Sequence, residues 1–546
     1  MLRRRARWGV TATCWSLVWV ASACGSRSGL ESFGADVGSG GLTTGGGSIG
    51  AGGRASGAGG RVNGGGGRVN GGGGRASGGR GGFGGSTGGT SVGGVGGTSG
   101  SGGVAVCGDG VRHDDEHCDD GNDVTGDGCW ECQRVVRLAA GQDHVCALDS
   151  AGRVKCWGGH DWGGIGLGDL ERRGDNPGEL AALPALDLGT GRRAVSVFAG
   201  AGHSCAILDD RSLKCWGTNF RGELGLGDEN HRGDEPNEMG DALPTVDLGT
   251  GRHAVDMALG LEHTCALLDD GCVKCWGENW FGQLGLSGPD AVGMLPGEMG
   301  DALPAVDVGA GVVVGLHAGK AHTCALFQDG RLKCWGYNGR GELGLGDKVD
   351  RGRDPSTMGE HLPFVDFGSV RVLAVAGGMD HTCGFLGDGT LKCWGANVGQ
   401  LGLGDRLDRG GEPGHSGASL APVSLGTARF AVEVAGGWRH TCARLDDGTV
   451  KCWGENAFGQ LGVGSKQEHG SGPGQMGDQL PRVRLGTGRR AVQLVAGRQF
   501  SCALLDDATV KCWGDGEQGQ LGQGNPRPRG TRPEDMGDAL PTVLVP

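Results

Sequence analysis

The stretch that most constrains this chain is His440-Thr-Cys-Ala-Arg-Leu-Asp-Asp-Gly-Thr-Val-Lys-Cys-Trp-Gly454. It reads as a strand, an Asp-Asp-Gly turn and a returning strand. Near copies begin at His144, His203, His263, His322 and His381, and a seventh begins at Phe500, spaced 59 or 60 residues apart. Lys-Cys-Trp-Gly closes every copy, ending at Gly158, Gly217, Gly277, Gly336, Gly395, Gly454 and Gly514. A fixed period of this length marks a tandem array of one supersecondary unit, which hides its apolar faces only by stacking on its neighbours.

Each unit opens on a β-rich run such as Ala431-Val-Glu-Val-Ala-Gly436, and the hairpin follows. A Gly-Gln-Leu-Gly-Leu-Gly-Asp turn comes next, at 399–405 and, with Glu for Gln, at 341–347. A longer loop then leads to a strand-like Thr245-Val-Asp-Leu248. About four short strands per unit and no helical periodicity predict an all-β, seven-bladed β-propeller over residues 135–546. Strand alternation puts Val450 and Cys452 on one face and Trp453 on the other. The seven repeated tryptophans are therefore expected between blades, where each indole buries ~150–250 Å².

Folding each hairpin about its midpoint places two cysteines opposite each other, ten residues apart. The pairs are Cys146/Cys156, Cys205/Cys215, Cys265/Cys275, Cys324/Cys334, Cys383/Cys393, Cys442/Cys452 and Cys502/Cys512. Cross-strand Cβ separations of ~4.5–5.5 Å suit a disulfide, so seven intra-blade bridges are predicted. Cys272, in the turn of the third hairpin, is left over once the hairpin pairs, the leader cysteines and the four of the N-terminal module are counted. It is a candidate free thiol or intermolecular bridge, or a chance semi-buried cysteine.

The repeated histidine invites a metal or catalytic reading. Phe500 in the seventh copy argues against it, as does the structural equivalence of the copies, because an active site needs a singular constellation. A hydrogen-bonding structural role is expected. Arg-Gly-Asp at 173–175 and 232–234 falls where other repeats carry Arg-Gly-Arg, Arg-Gly-Gly or Arg-Gly-Thr, and is read as drift within the repeat.

The net charge of −13, with both signs interspersed through the repeats, argues against electrostatic capture of nucleic acid, which needs a basic stripe. Twenty-one cysteines point to an oxidising compartment. Residues 1–23 have the form of an export signal: Arg3, Arg4, Arg5 and Arg7, then an apolar run from Trp8 to Ala23. Val20-Ala-Ser-Ala-Cys24 resembles a lipobox with Cys24 as the lipidated residue; ordinary cleavage and secretion is the alternative. No later apolar run approaches the ~20 residues of a membrane span, so membrane attachment is expected only through that lipid.

Residues 24–106 form a Gly-rich linker too poor in apolar side chains to fold, and hence a disordered tether. Residues 107–134 form a small disulfide-rich module carrying Cys107-Gly-Asp-Gly, Cys118-Asp-Asp-Gly-Asn and Cys129-Trp-Glu-Cys132. It resembles the short cysteine-rich repeats of myxobacterial surface proteins. So short a segment needs disulfides or a metal to hold it. Asp119, Asp120, Asn122 and Asp127 offer oxygen ligands for Ca²⁺, although the same residue types serve as turn formers in a disulfide knot. No other cofactor is expected.

The repeat Asp446-Asp-Gly-Thr-Val-Lys-Cys-Trp-Gly-Glu-Asn-Ala-Phe-Gly-Gln-Leu-Gly-Val-Gly464, preceded by Val-Ala-Gly-Gly-Trp-Arg-His-Thr-Cys, resembles that of the regulator of chromosome condensation family. The resemblance implies a seven-bladed propeller whose loops bind other proteins. It does not carry over nucleotide exchange on a small GTPase, since export and disulfides remove the chain from such a partner. The expected function is a non-enzymatic, exported or surface-anchored scaffold for an unidentified protein. A lectin using Trp162, Trp280 and Trp438 on a surface glycan is the alternative. A polysaccharide-degrading propeller, which would need paired carboxylates in one cleft, is a third reading.

Overall fold

In the computed structural model, residues 135–159 and 162–543 are described. The leader with Cys24, the Gly-rich linker and the cysteine module with Asp119, Asp120, Asn122 and Asp127 lie outside the described residues. Among the described residues no helix is long and apolar enough to cross a membrane.

The described chain forms seven antiparallel sheets, each built from one sequence repeat. In the first, β1 (Val135–Ala140), β2 (His144–Asp149) and β3 (Val154–Gly158) lie side by side in chain order. The other six begin at Ala194, Ala254, Val313, Val372, Ala431 and Ala491. The first strand of each carries an irregularity just after its start, as between Val135 and Arg137 or between Ala431 and Glu433. One extra residue there increases the local twist that a blade needs.

Among the described residues the expected fourth strand forms in only one sheet. That sheet begins at Ala254, and its fourth strand is Ala291–Val292 rather than the Leu-Pro segment. Thr245–Leu248 and its counterparts run along the outer edge with one bond to the third strand, such as Val246 N–H to the Leu213 carbonyl at 2.8 Å. The proline before each segment and the Gly-rich loop after it leave too short a run for a full ladder. The edge is nonetheless covered, which guards against edge-to-edge pairing.

Register places each predicted cysteine pair directly opposite, and all seven bridges are formed. In the first four blades they are Cys146–Cys156, Cys205–Cys215, Cys265–Cys275 and Cys324–Cys334. In the last three they are Cys383–Cys393, Cys442–Cys452 and Cys502–Cys512. Each joins the second strand of a sheet to the third, with Cα atoms 4.1 Å apart. The free-thiol reading of Cys272 is corrected: this cysteine is itself disulfide-bonded.

Blade stacking follows the predicted two-faced hairpin. The disulfide and third-strand aliphatic of one blade share an apolar cluster with the tryptophan of the next: Cys442, Val450 and Cys452 with Trp513, and Cys383, Leu391 and Cys393 with Trp453. All seven of these tryptophans are 0 % exposed. The indole N–H donates to a carbonyl in the Gly-Gln-Leu-Gly turn of the preceding blade, as Trp453 does to Gln400 at 2.8 Å. The second glycine of that turn, Gly402, has φ +69°, and a Cβ there would meet the Trp453 ring. That close approach explains its recurrence.

The ring closes with the same parts. Cys502, Val510 and Cys512 of the last blade cluster with Trp157 of the first, whose indole donates to the Gln520 carbonyl at 3.2 Å. Gln493 adds a local stitch: its amide accepts from the Leu138 N–H at 2.8 Å and donates to the Leu138 carbonyl at 2.9 Å. Around the central channel, Gln142 N–H donates to Ala201, Ala201 to Gly260, Lys320 to Met379, and Arg498 back to Gln142, at 2.7–3.0 Å.

Candidate binding face

β1 ends, β2 begins and β3 ends on one side of the ring, here called the loop face. The Asp-Asp-Gly turns lie on the other. Since a repeat copies its scaffold in every blade, side chains with a particular task should be those that break the repeat.

The repeated histidines do not. His203 Nε2 lies 2.8 Å from the Thr264 hydroxyl of the next blade, and the Thr264 hydroxyl donates to the Glu223 carbonyl. The threonine proton is thereby used, so Nε2 must carry the imidazole proton. The same contact joins His144 to Ser204, His263 to Thr323, His322 to Thr382, His381 to Thr441 and His440 to Ser501. Burial, followed by neighbouring imidazoles, pushes His203 down to about 3. These are neutral inter-blade ties. Phe500 has no such tie to make, because its counterpart in blade one is Val145.

The Arg-Gly-Asp sites also belong to the scaffold. Arg232 pairs with Asp228 four residues earlier at 2.7 Å, and Arg173, Arg351 and Arg409 repeat that pairing. The long loops that vary most in sequence are thus pinned at their bases. The lysine of Lys-Cys-Trp-Gly has a role that sequence reasoning missed. Lys451 is buried and donates to the Leu425 carbonyl of the preceding blade at 2.9 Å and to the Gly477 carbonyl of its own at 2.7 Å. Lys274 and Lys333 do the same.

What breaks the symmetry lies in the short loops just after each Lys-Cys-Trp-Gly. Trp162, Phe220 and Trp280 are 44 %, 47 % and 47 % exposed, unlike the repeated tryptophans. Trp162 meets Phe220 edge-on at 5.4 Å, and both contact the His231 ring. Arg221 stacks over Trp280 at 4.6 Å, and Phe281 meets Tyr337 at 4.9 Å. The position of Phe220 is taken by Val398, Ala457 and Glu517 in blades five to seven. The exposed patch therefore belongs to the first four blades. Of the three non-repeated tryptophans among the described residues, Trp162 and Trp280 belong to it, while Trp438 lies in the central channel beneath the Arg498 guanidinium at 4.5 Å.

Beside the patch, a cavity of about 290 Å³ opens among the first three blades and the last, with Trp162, Phe220, Glu223, Glu262 and Asp143 in its wall. Glu223 replaces the glutamine found in the same turn at 283, 400, 460 and 520. Its Oε2 accepts from the Arg221 N–H at 2.7 Å, while Oε1 is buried without a hydrogen-bond partner. Burial raises the Glu223 carboxyl. Burial, with Glu262 beside it, likewise pushes Glu278 up to about 7. The central channel is a separate cavity of about 250 Å³, lined from all seven blades by small and aliphatic residues with His317, Trp438 and Arg498. Among the described residues no group of three or more His, Cys, Asp or Glu is arranged to hold a metal ion.

Comparison with known proteins agrees with this architecture. The Regulator of chromosome condensation (RCC1) repeat matches residues 135–161, 194–223, 254–283, 313–342, 431–460 and 491–520, and a second description of that repeat matches 329–385 and 447–504. The chain is 34% identical over 402 residues to the ultraviolet-B receptor UVR8 of Arabidopsis thaliana, covering 72% of this chain and 79% of that one. It is 29% identical over 363 residues to the mitochondrial RCC1 domain-containing protein RUG3 of the same plant, covering 65% and 73%. Among solved structures, Prp20p of Saccharomyces cerevisiae superposes with a TM-score of 0.50 at 22% identity, over 67% of this chain and 81% of that one. Human WBSCR16 gives 0.50 at 18%, over 68% and 90%.

Proposed function

Because the chain belongs to the regulator of chromosome condensation repeat family, we propose that it is a non-enzymatic scaffold that binds another protein through the loop face of its propeller. The observation carrying this reading is the exposed cluster of Trp162, Phe220 and Trp280 on a body whose repeated tryptophans are buried. Aromatic side chains of this kind dominate protein-binding surfaces. The channel lining of small and aliphatic residues also suits binding better than glycoside chemistry, which calls for paired carboxylates.

The proposal places the protein outside the cytoplasm. It rests on the leader-like residues 1–23 with Cys24 as lipid site, and on the seven intra-blade disulfides. Metabolic labelling with a lipid precursor tests the anchor: label on Cys24 supports it, and an unlabelled, secreted chain removes it. Prp20p is described with its binding to Gsp1p and histones. That partnership is a property of Prp20p, and we propose a surface partner instead of a small GTPase. Any resident cation is confined in this reading to Ca²⁺ at Asp119, Asp120, Asn122 and Asp127.

A lectin is the second reading, favoured by the exposed indoles of Trp162 and Trp280 beside carboxylates. Affinity capture from native surface extracts with the oxidised full chain separates the two. The expected result is a retained protein competed off by free chain. Turnover of a purified polysaccharide, or retention of glycan alone, would sink the scaffold reading.

A further inference from the structure

The cavity beside the aromatic patch holds a carboxylate that the surrounding protein does not satisfy. Glu223 is 0 % exposed; the Thr218 side chain interacts with its carboxyl, and its Oε1, like that of Glu342 in blade four, has no partner at hydrogen-bond geometry. Glu262 has the Arg221 Nε at 3.9 Å, and shares its neighbourhood with Glu278, whose Oε2 accepts from Gln283 at 2.9 Å. Asp143, also in the wall, is matched by Arg498 at 3.7 Å. Glu262 and Glu278 thus share one guanidinium, that of Arg221, which is itself engaged with the Trp280 ring, while Glu223 receives only the Arg221 backbone N–H. A buried acceptor without a donor costs free energy unless a ligand supplies one.

The walls indicate which ligand. Trp162 and Phe220, both partly exposed, line the same cavity, and aromatic faces attract organic cations. A metal ion is disfavoured, because among the described residues the carboxyls do not converge as a ligand set. We propose that the cavity lined by Glu223, Glu262, Asp143, Trp162 and Phe220 is a socket for a basic side chain, lysine or arginine, of the partner protein. The socket rests on the scaffold reading and gives it a location and a charge. The cation enters past the two rings and lies against Glu262, and a rotation of the buried Glu223 side chain brings Oε1 to it. The aromatic patch then covers the aliphatic stem of the same side chain.

The repeat itself supplies the test. Glutamine stands at the Glu223 position in four other blades, with its Oε1 accepting the same turn amide. Glu223→Gln therefore keeps the fold, and Glu342→Gln makes the identical charge change in blade four, away from the cavity. Anisotropy of a fluorescein-labelled hexalysine peptide is followed on the oxidised full chain, with hexaglutamate and maltohexaose as counter-probes. Wild type and E342Q are expected to bind hexalysine equally, while E223Q and W162A bind at least tenfold more weakly. Equal losses in E223Q and E342Q would overturn the socket, as would no binding to wild type, or binding of hexaglutamate as tight as that of hexalysine. Maltohexaose binding that W162A abolishes and E223Q leaves intact would overturn it in favour of a sugar. If E223Q captures the same surface protein as wild type, the socket fails and the scaffold stands; if wild type captures none, the scaffold itself fails.

Discussion

Phe500 and Val145 pack in one apolar cluster at the interface of the last and first blades, where each of the other six interfaces joins an imidazole to a hydroxyl. Two departures from the repeat thus compensate each other across the closure of the ring. Phe500→His alone should bury an imidazole with no acceptor and destabilise the protein by about 1–3 kcal/mol. Adding Val145→Thr should recover most of that loss. A double-mutant cycle by urea unfolding measures the coupling; additive losses would show that the two positions do not communicate.

The disulfides act within blades, so their loss should cost stability without changing which strands pair. Replacing both Cys442 and Cys452 by Ala should lower stability by about 2–3 kcal/mol, from closure of a short loop. Non-reducing peptide mapping of the natively expressed chain should recover all seven bridges, including Cys146–Cys156, Cys205–Cys215, Cys265–Cys275 and Cys324–Cys334. Thiols free in most of them would contradict the register.

Lys451 holds two carbonyls from adjacent blades while buried. Lys451→Met keeps the stem but leaves both acceptors without their donor, and should cost about 1.5–3 kcal/mol as a lost charge-assisted interaction. A fall in melting temperature with unchanged far-ultraviolet circular dichroism is the expected signature.

Glu342 is 1 % exposed, and burial pushes its carboxyl up to about 7 from 4.5. The folded state therefore holds a proton that the unfolded chain releases. Stability falls as pH rises from about 4.5 to 7 and stays lower above it. Glu342→Gln removes that dependence. It should stabilise the protein above pH 7 by up to roughly 3 kcal/mol, at ~1.4 kcal/mol per pKa unit, with no gain near pH 4. Titration of the melting temperature in both proteins checks the sign. The buried histidines slope the other way. His203 and His263, held down to about 3, cost stability as pH falls below 6.5, so the optimum should lie where the two slopes balance.

Much of this was legible in the chain, for a physical reason. A hairpin with its cysteines ten apart has one register that brings them together, and that register assigns Val450 and Cys452 to one face and Trp453 to the other. Seven copies then dictate seven blades, since no copy can bury both faces alone. The ordinary role of the repeated histidines also followed, from Phe500 in the last copy.

Other features depend on residues far apart in sequence and needed the folded ring. Val145 and Phe500 become partners only when the first blade meets the last. The outer segments become single bonds instead of strands because a proline and a Gly-rich loop cut each of them short. The Lys451 bond to Leu425 crosses a blade boundary that no local pattern marks. The long loops vary most in sequence, yet Arg–Asp pairs pin them at their bases, and the exposed aromatic asymmetry lies in short loops carrying Trp162, Phe220 and Trp280. The blade can be read from the chain alone because its contacts are local and repeated seven times. The binding face could be read only once the ring was closed, because it is assembled from single residues of several blades which the repeat does not specify.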